Sequence, residues 1–278
     1  MDSTNCLNCN TVLEPAQRFC PQCGQQAVIH RFSVPHFLHE FFHAFTHTDK
    51  GIFHLLKSLV TRPGATAREY IRGRRKAYFN PFTFFLIVMG IYVLADAFFI
   101  RSSPPIEPNQ QVLAHIPTQE GKQKYIGMLH RGNKARQFME KKANIVAMIA
   151  VPLIALVSWL FFYRKGYNYA EHLTANLMFV VFSNLVFVLL VFPLQALFRG
   201  SAIAGWLPLA GMVLQALYLC WCYNGFFELR TVGQRTKSLL VSLFAIVLWF
   251  IFSLTIMAVY IYQSWDFYQF FGRMLGRG

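Results

Sequence analysis

The chain has 278 residues, of which 55% are hydrophobic and 14% charged, against roughly 25% charged in an ordinary soluble domain. Its 29 phenylalanines, most of them after Asn80, are too many for a soluble core of this size, which excludes an ordinary water-soluble globule. A formal net charge of +14 would suit nucleic acid in a soluble protein, but here the basic residues stand beside apolar runs, as anionic lipid headgroups and topology signals require.

Residues 1–30 are polar and lack the apolar core of a secretory signal, so the N-terminus is expected to remain in the reducing cytoplasm. Cys6, Cys9, Cys20 and Cys23 form C-x2-C-x10-C-x2-C, the most specific signal in the chain. Each CxxC turn supplies two thiolates to one side of a tetrahedral ion, so the pattern predicts a zinc ribbon. Asn10 and Gly24 follow the two pairs and are residue types that tolerate the left-handed backbone a knuckle needs. Four thiolates leave no open coordination position, so the expected Zn2+ is structural, and it supplies the folding energy that so short a segment cannot gain from a core. With Arg18 as the one basic residue of this segment, the ribbon is not suited to nucleic acid.

Residues 31–79 form a His-rich and basic juxtamembrane region. At 100° per residue His36, His43, His47 and His54 share one sector, with Phe37, Leu38, Phe41, Phe42 and Phe45 opposite, which predicts an amphipathic helix through Phe45. Three uses compete: docking in the headgroup region, packing against the membrane bundle, or a second metal or polar site from His39, Glu40, His43, His47 and Asp49. Residues 39–43, His-Glu-Phe-Phe-His, have the H-E-x-x-H spacing of such a metal site. Arg62-Pro63-Gly64 reads as a turn opening a short helix. Arg72, Arg74, Arg75 and Lys76 make a dense patch for lipid headgroups or phosphate.

Residues 80–278 are expected to be a helical transmembrane domain. A span needs about 20 mainly apolar residues, and 80–100, 143–163, 174–198, 203–224 and 239–262 reach that length. Lipid leaves backbone groups no outside partner, so these runs should be helices. Pro152, Pro193 and Pro208 fall inside them, where each removes one helix hydrogen bond. A polar loop is expected at 101–142.

Five spans with a cytoplasmic N-terminus place that basic loop outside, with 15 Lys/Arg inside and 11 outside. Treating 80–100 as re-entrant gives four spans and a division of 21 to 5, which fits the positive-inside rule better. The apolarity of 82–95 favours five. Asp96, near one end of the first span, and Glu171 with His172 at the mouth of the third, are candidate intramembrane polar sites; Glu171 also suits a helix N-terminus.

The run Phe19-Cys20-Pro21-Gln22-Cys23-Gly24 resembles the zinc ribbon at the head of many bacterial membrane proteins. His43 to Gly51, Arg62-Pro63, Gly73-Arg74-Arg75-Lys76-Ala77-Tyr78 and Tyr169-Ala170-Glu171-His172 resemble a bacterial family catalogued only as a domain of unknown function. That resemblance implies a zinc ribbon before a helical membrane domain and carries no activity with it.

Together these features define an all-α polytopic inner-membrane protein with about five transmembrane helices and an N-terminal four-cysteine zinc ribbon. The leading expectation is an adaptor or scaffold that binds membrane lipids and a cytoplasmic protein partner. A small transporter or channel subunit, and a membrane enzyme built on the 39–49 His/acid cluster, are the alternatives.

Overall fold

A computed structural model describes residues 5–15, 17–29, 31–35, 37, 51–99 and 105–263, apart from the side chains at 96, 97, 139–145 and 147. Beyond the ribbon, the described residues form α1 (Ile52–Thr61), α2 (Pro63–Ile71), α3 (Pro81–Phe99), α4 (Gln110–His115), α5 (Gln119–Phe162), a 3-10 turn (Tyr163–Lys165), α6 (Tyr169–Leu197), α7 (Ala202–Phe226) and α8 (Val232–Tyr262).

Local chemistry sets these boundaries. Pro63 and Pro81 open α2 and α3, where a missing N–H costs nothing. The Asn80 side chain accepts from the Phe82 amide at 2.8 Å, and the Thr118 hydroxyl accepts from the Gly121 amide at 3.1 Å. Reciprocal capping boxes start α6 (Asn168 with Glu171) and α8 (Thr231 with Gln234). Pro152, Pro193 and Pro208 lie inside α5, α6 and α7, and each helix continues through its proline.

Four helical stretches are long and apolar enough to cross a membrane: Met148–Lys165, α6, α7 and α8. The apolar part of α3, Pro81–Ala95, is shorter. Even so, α3 is one continuous 19-residue helix and not a re-entrant hairpin. α6 is the hub, packed by α1, α2, α3, α5 and α7, and 61% of its apolar window is buried against 17% for α7 and α8. The outward faces of α7 and α8 carry Val213, Leu217, Leu240, Val247, Ile251 and Ile256, all exposed. A surface this apolar belongs in lipid.

The polar stretch 101–142 is not a loop throughout. α4 occupies part of it, and α5 begins at Gln119 and runs 44 residues, so its polar half and its apolar span are one rod about 66 Å long. Lys, Arg, Gln and Glu are good helix formers, and the Thr118 cap starts the helix well before the apolar run.

α1 and α2 do not lie apart as a juxtamembrane segment. Leu55, Leu59, Ala67, Tyr70 and Ile71 belong to the same core as the bundle. Gly64 of α2 and Gly225 of α7 meet at a crossing so close that a Cβ on Gly64 would lie 2.2 Å from the Phe226 nitrogen and 2.3 Å from the Cys222 oxygen. This defines one end of the bundle, where 62–81, 163–171 and 225–231 gather. At the opposite end, Arg199 donates to the Phe99 carbonyl at 2.7 Å, and Arg131 donates to the Ile261 carbonyl at 2.7 Å.

Candidate metal centre and the bundle end that holds it

The ribbon consists of two knuckles with the same hydrogen bonds. Cys6 O accepts from Asn10 N and Cys20 O from Gly24 N, each at 2.9 Å. Cys6 N donates to Thr11 O at 2.8 Å and Cys20 N to Gln25 O at 2.7 Å. Asn10 (φ 64°) and Gly24 (φ 69°) occupy the left-handed positions that the sequence assigns to them. Bridges Asn5–Val12 and Phe19–Gln26 close the two loops.

This arrangement brings the four sulfurs within 4.8 Å of one another, a group that could hold a metal ion. Cys6 to Cys23 is 3.6 Å and Cys9 to Cys20 is 3.5 Å. Four thiolates around a tetrahedral ion with bonds of about 2.3 Å stand roughly 3.8 Å apart, so the spacing fits. Burial pushes the Cys6 thiol up to about 11, while the Thr11 hydroxyl and backbone hold the exposed Cys9 down to about 6.

The ribbon rests on the bundle. Gly73, at φ 112°, leaves room for the ribbon's Leu7 and Ile29, whose atoms would stand 2.8 and 3.2 Å from a Cβ there. The Lys76 amide donates to Gln25 Oε1 at 2.9 Å. Phe32, fully buried, stacks on Tyr70 and receives the Arg75 guanidinium 4.0 Å above its ring. Phe37, the described member of the predicted Phe face, packs edge-on against Phe82 at 4.7 Å.

Arg31 completes the attachment. Its Nε donates to Glu171 Oε1 at 2.6 Å, and its Nη2 donates to Glu171 Oε2 at 2.7 Å and to the Gly166 carbonyl at 2.6 Å. Glu171 also accepts from the Asn168 amide, so its buried carboxylate is satisfied both as a cap and as an ion-pair partner.

His172 points elsewhere. Its Nδ1 pairs with Ser158 Oγ at 2.8 Å; Asn176 Nδ2 donates to that hydroxyl at 3.0 Å, and Tyr223 OH donates to Asn176 Oδ1 at 2.8 Å. The four side chains are buried and join α5, α6 and α7. His172 Nε2 has no hydrogen-bond partner among the described residues. Glu171 and His172 are therefore not a pair: adjacent in sequence, they serve the ribbon attachment and the bundle interior separately.

The basic segment is partly turned inward. Glu69 accepts from Arg62 Nη1 at 2.9 Å, Arg74 Nη1 at 3.0 Å and Tyr78 OH at 2.7 Å. Burial works against its ionisation, but the Tyr78 hydroxyl and the two guanidinium groups outweigh burial and hold it below the usual carboxylate range. Tyr78 is pushed up to about 12, first by burial and then by Glu69. Arg68 donates to the Gly225 carbonyl at 2.6 Å and pairs with Glu228. Of the predicted headgroup ligands, Arg74 and Arg75 are thus used within the protein, and the side chains of Arg72 and Lys76 lie exposed.

Residues 49–93 match the family model described as "Protein of unknown function (DUF3667)". No curated protein and no solved structure matches the chain. The matched stretch holds Gly64, Glu69, Gly73 and Tyr78, the residues that join α2 to the bundle and seat the ribbon, while the four cysteines lie outside it.

His39, Glu40, His43, His47 and Asp49 lie outside the described residues, and Asp96 is placed only as a backbone position in α3. Sequence reasoning singled out His172 but missed Arg31, the seat at Gly73, and the chain that ties His172 to Ser158, Asn176 and Tyr223. A lone arginine and four isolated polar residues carry no local pattern; the nearest usable signal was Asn168 three residues before Glu171, the spacing of a capping box.

Proposed function

We propose that the protein is a membrane-anchored adaptor whose N-terminal ribbon carries a structural Zn2+ and presents a fixed face to a cytoplasmic protein partner. The observation that carries this reading is the two-sidedness of the ribbon. Leu7 and Ile29 turn to Gly73, whereas Val12 and Phe19, in the two bridges, are 73% and 57% exposed. A segment serving only its own fold would not be expected to leave two large apolar side chains in water.

Zinc is the ion that best suits four thiolates in a closed tetrahedron. The same reading takes α3 as the first of five crossings in a bacterial inner membrane. Its support is that α3 begins at the ribbon end, where Asn80 caps it, and reaches the opposite end, where Phe99 meets Arg199. Arg72 and Lys76 then stand at the cytoplasmic headgroups of anionic lipids.

The test is capture of cross-linked proteins by the full chain in its native membrane. Val12→Glu with Phe19→Glu should abolish specific partners while bound metal stays at one per chain, and Cys20→Ser with Cys23→Ser should abolish both. Identical captures from wild type and the Val12/Phe19 variant would overturn the proposal.

A transporter or channel subunit is the second reading, favoured by the buried chain from Ser158 to Tyr223 across three helices. Solute or ion flux in proteoliposomes that disappears with His172→Gln would support it; absence of flux removes it.

A further inference from the structure

α8 packs on α5 and α7, and where it faces α6 the bundle leaves a cavity of about 270 Å³. Five helices supply its wall: Tyr92 from α3, Val146 from α5, Asn184 and Phe187 from α6, Gln215 from α7 and Trp249 from α8. A second space of about 70 Å³ shares Asn184, Gln215 and Trp249.

Two properties restrict what such a chamber accepts. Asn184 and Gln215 stand near the middle of α6 and α7, so a ligand must arrive through the bilayer. Among the described residues no Asp, Glu, Lys, Arg or His lines either space, so a charged group entering would find no counter-ion among them.

The polar groups that are present define the head. Gln215 Nε2 donates to Asn184 Oδ1 over a long 3.4 Å. The Asn184 amide hydrogens and Gln215 Oε1 have no other partner among the described residues, while the neighbouring Ser253 hydroxyl is already bonded to the Trp249 carbonyl. One free donor beside one free acceptor is the complement of a hydroxyl, which accepts and donates at the same atom. A ketone would use only the donor, and a carboxylate would have to be neutralised first. Phe187, Trp249 and the other apolar walls suit a chain or ring behind that hydroxyl.

We propose that this chamber binds an uncharged amphiphile from the bilayer, a lipid-soluble alcohol whose hydroxyl lies between Asn184 and Gln215. The site is independent of the ribbon and of any partner it binds.

The experiment is photolabelling of the full chain in lipid nanodiscs with a diazirine-bearing hexadecanol, mapped by mass spectrometry. The comparison probes are the matching ionised fatty acid and the matching alkane. Label should concentrate on peptides carrying Phe187, Trp249 or Met257, exceed that from either comparison probe by roughly tenfold, and fall when excess unlabelled hexadecanol is added. Asn184→Leu with Gln215→Leu should remove that preference while leaving alkane labelling in place. Met257→Trp, which fills the chamber, should reduce labelling by all three probes. The proposal is overturned if label spreads evenly over the lipid-facing Val213, Leu217 and Val247, if acid or alkane labels the chamber as well as the alcohol, or if unlabelled hexadecanol fails to compete on the wild-type protein.

Discussion

Arg31, just beyond the ribbon, and Glu171, in the first turn of α6, are 140 residues apart in sequence and meet through two hydrogen bonds of 2.6 and 2.7 Å. The Glu171 side chain is 5% exposed and that of Arg31 is 59% exposed, so the pair lies between a surface bridge and a buried one. Its strength comes from the carboxylate, which would otherwise be desolvated with only the Asn168 amide for company.

Arg31→Ala should therefore lower stability by about 1–3 kcal/mol, most of it from leaving a buried carboxylate short of a partner. Glu171→Gln, which keeps a capping acceptor, should cost less than Arg31→Ala. Thermal unfolding in detergent measures both, and the double variant should fall short of the sum, because the two residues share one interaction.

Gly64→Ala should be far more severe. Its new methyl would sit 2.2–2.5 Å from three backbone atoms of α7, none of which can rotate away as a side chain would. Loss of about 3 kcal/mol or more, or failure to accumulate in the membrane, is expected. Gly90→Ala is the control: nothing lies within 4 Å of that Cβ, and the change should be neutral or stabilising by about 0.5–1 kcal/mol.

Glu69 and Tyr78 give the ribbon end a defined pH window. Glu69 is held below the usual carboxylate range, so its contribution is present above the unfolded value near ~4.3 and is lost as pH falls through the folded value. Tyr78 is raised to about 12, so its contribution is complete below the unfolded value near ~10 and is lost as pH rises toward the folded one. Glu69→Gln should flatten the acid limb and Tyr78→Phe the alkaline limb of stability against pH, each at a cost of about 1–2 kcal/mol at neutral pH.

Metal analysis of the purified chain should give one zinc per chain, abolished by Cys20→Ser. Chelation should expose the ribbon to protease while α6 to α8 stay protected, because so small a four-thiolate segment would take its folding energy from a bound ion and the helices would not. Two ions per chain would instead direct attention to His39, Glu40, His43, His47 and Asp49.

The parts of this architecture that are legible in the sequence are those with a local period or spacing. The cysteine pattern, with Asn10 and Gly24 behind it, specifies the ribbon, and apolar length specifies the four helices long enough to cross a membrane, with α3 as a further, shorter apolar helix. Apolar length alone places a helix start too late where a polar first turn precedes the apolar run. α6 begins at Tyr169 because Asn168 and Glu171 cap it, and α8 begins at Val232 because Thr231 and Gln234 do the same. The polar half of α5 was concealed by its charges, since a helix projecting beyond the bilayer has no apolar stripe to announce it. Arg31 with Glu171, and Gly64 with Gly225, left no trace, because each partner becomes meaningful only when the fold brings the other to it.

Sidedness tests the account's central claim, a ribbon head on the cytoplasmic end of a bundle that crosses five times. Single cysteines replacing Glu107, beyond α3, and Val232, at the start of α8 and 81% exposed, would be challenged with a membrane-impermeant maleimide and read by mass spectrometry. Labelling at position 107 in intact spheroplasts, with position 232 labelled only after permeabilisation, is the predicted result. Labelling of 232 from outside while 107 stays protected would put the ribbon end outside the cytoplasm, and would contradict the account.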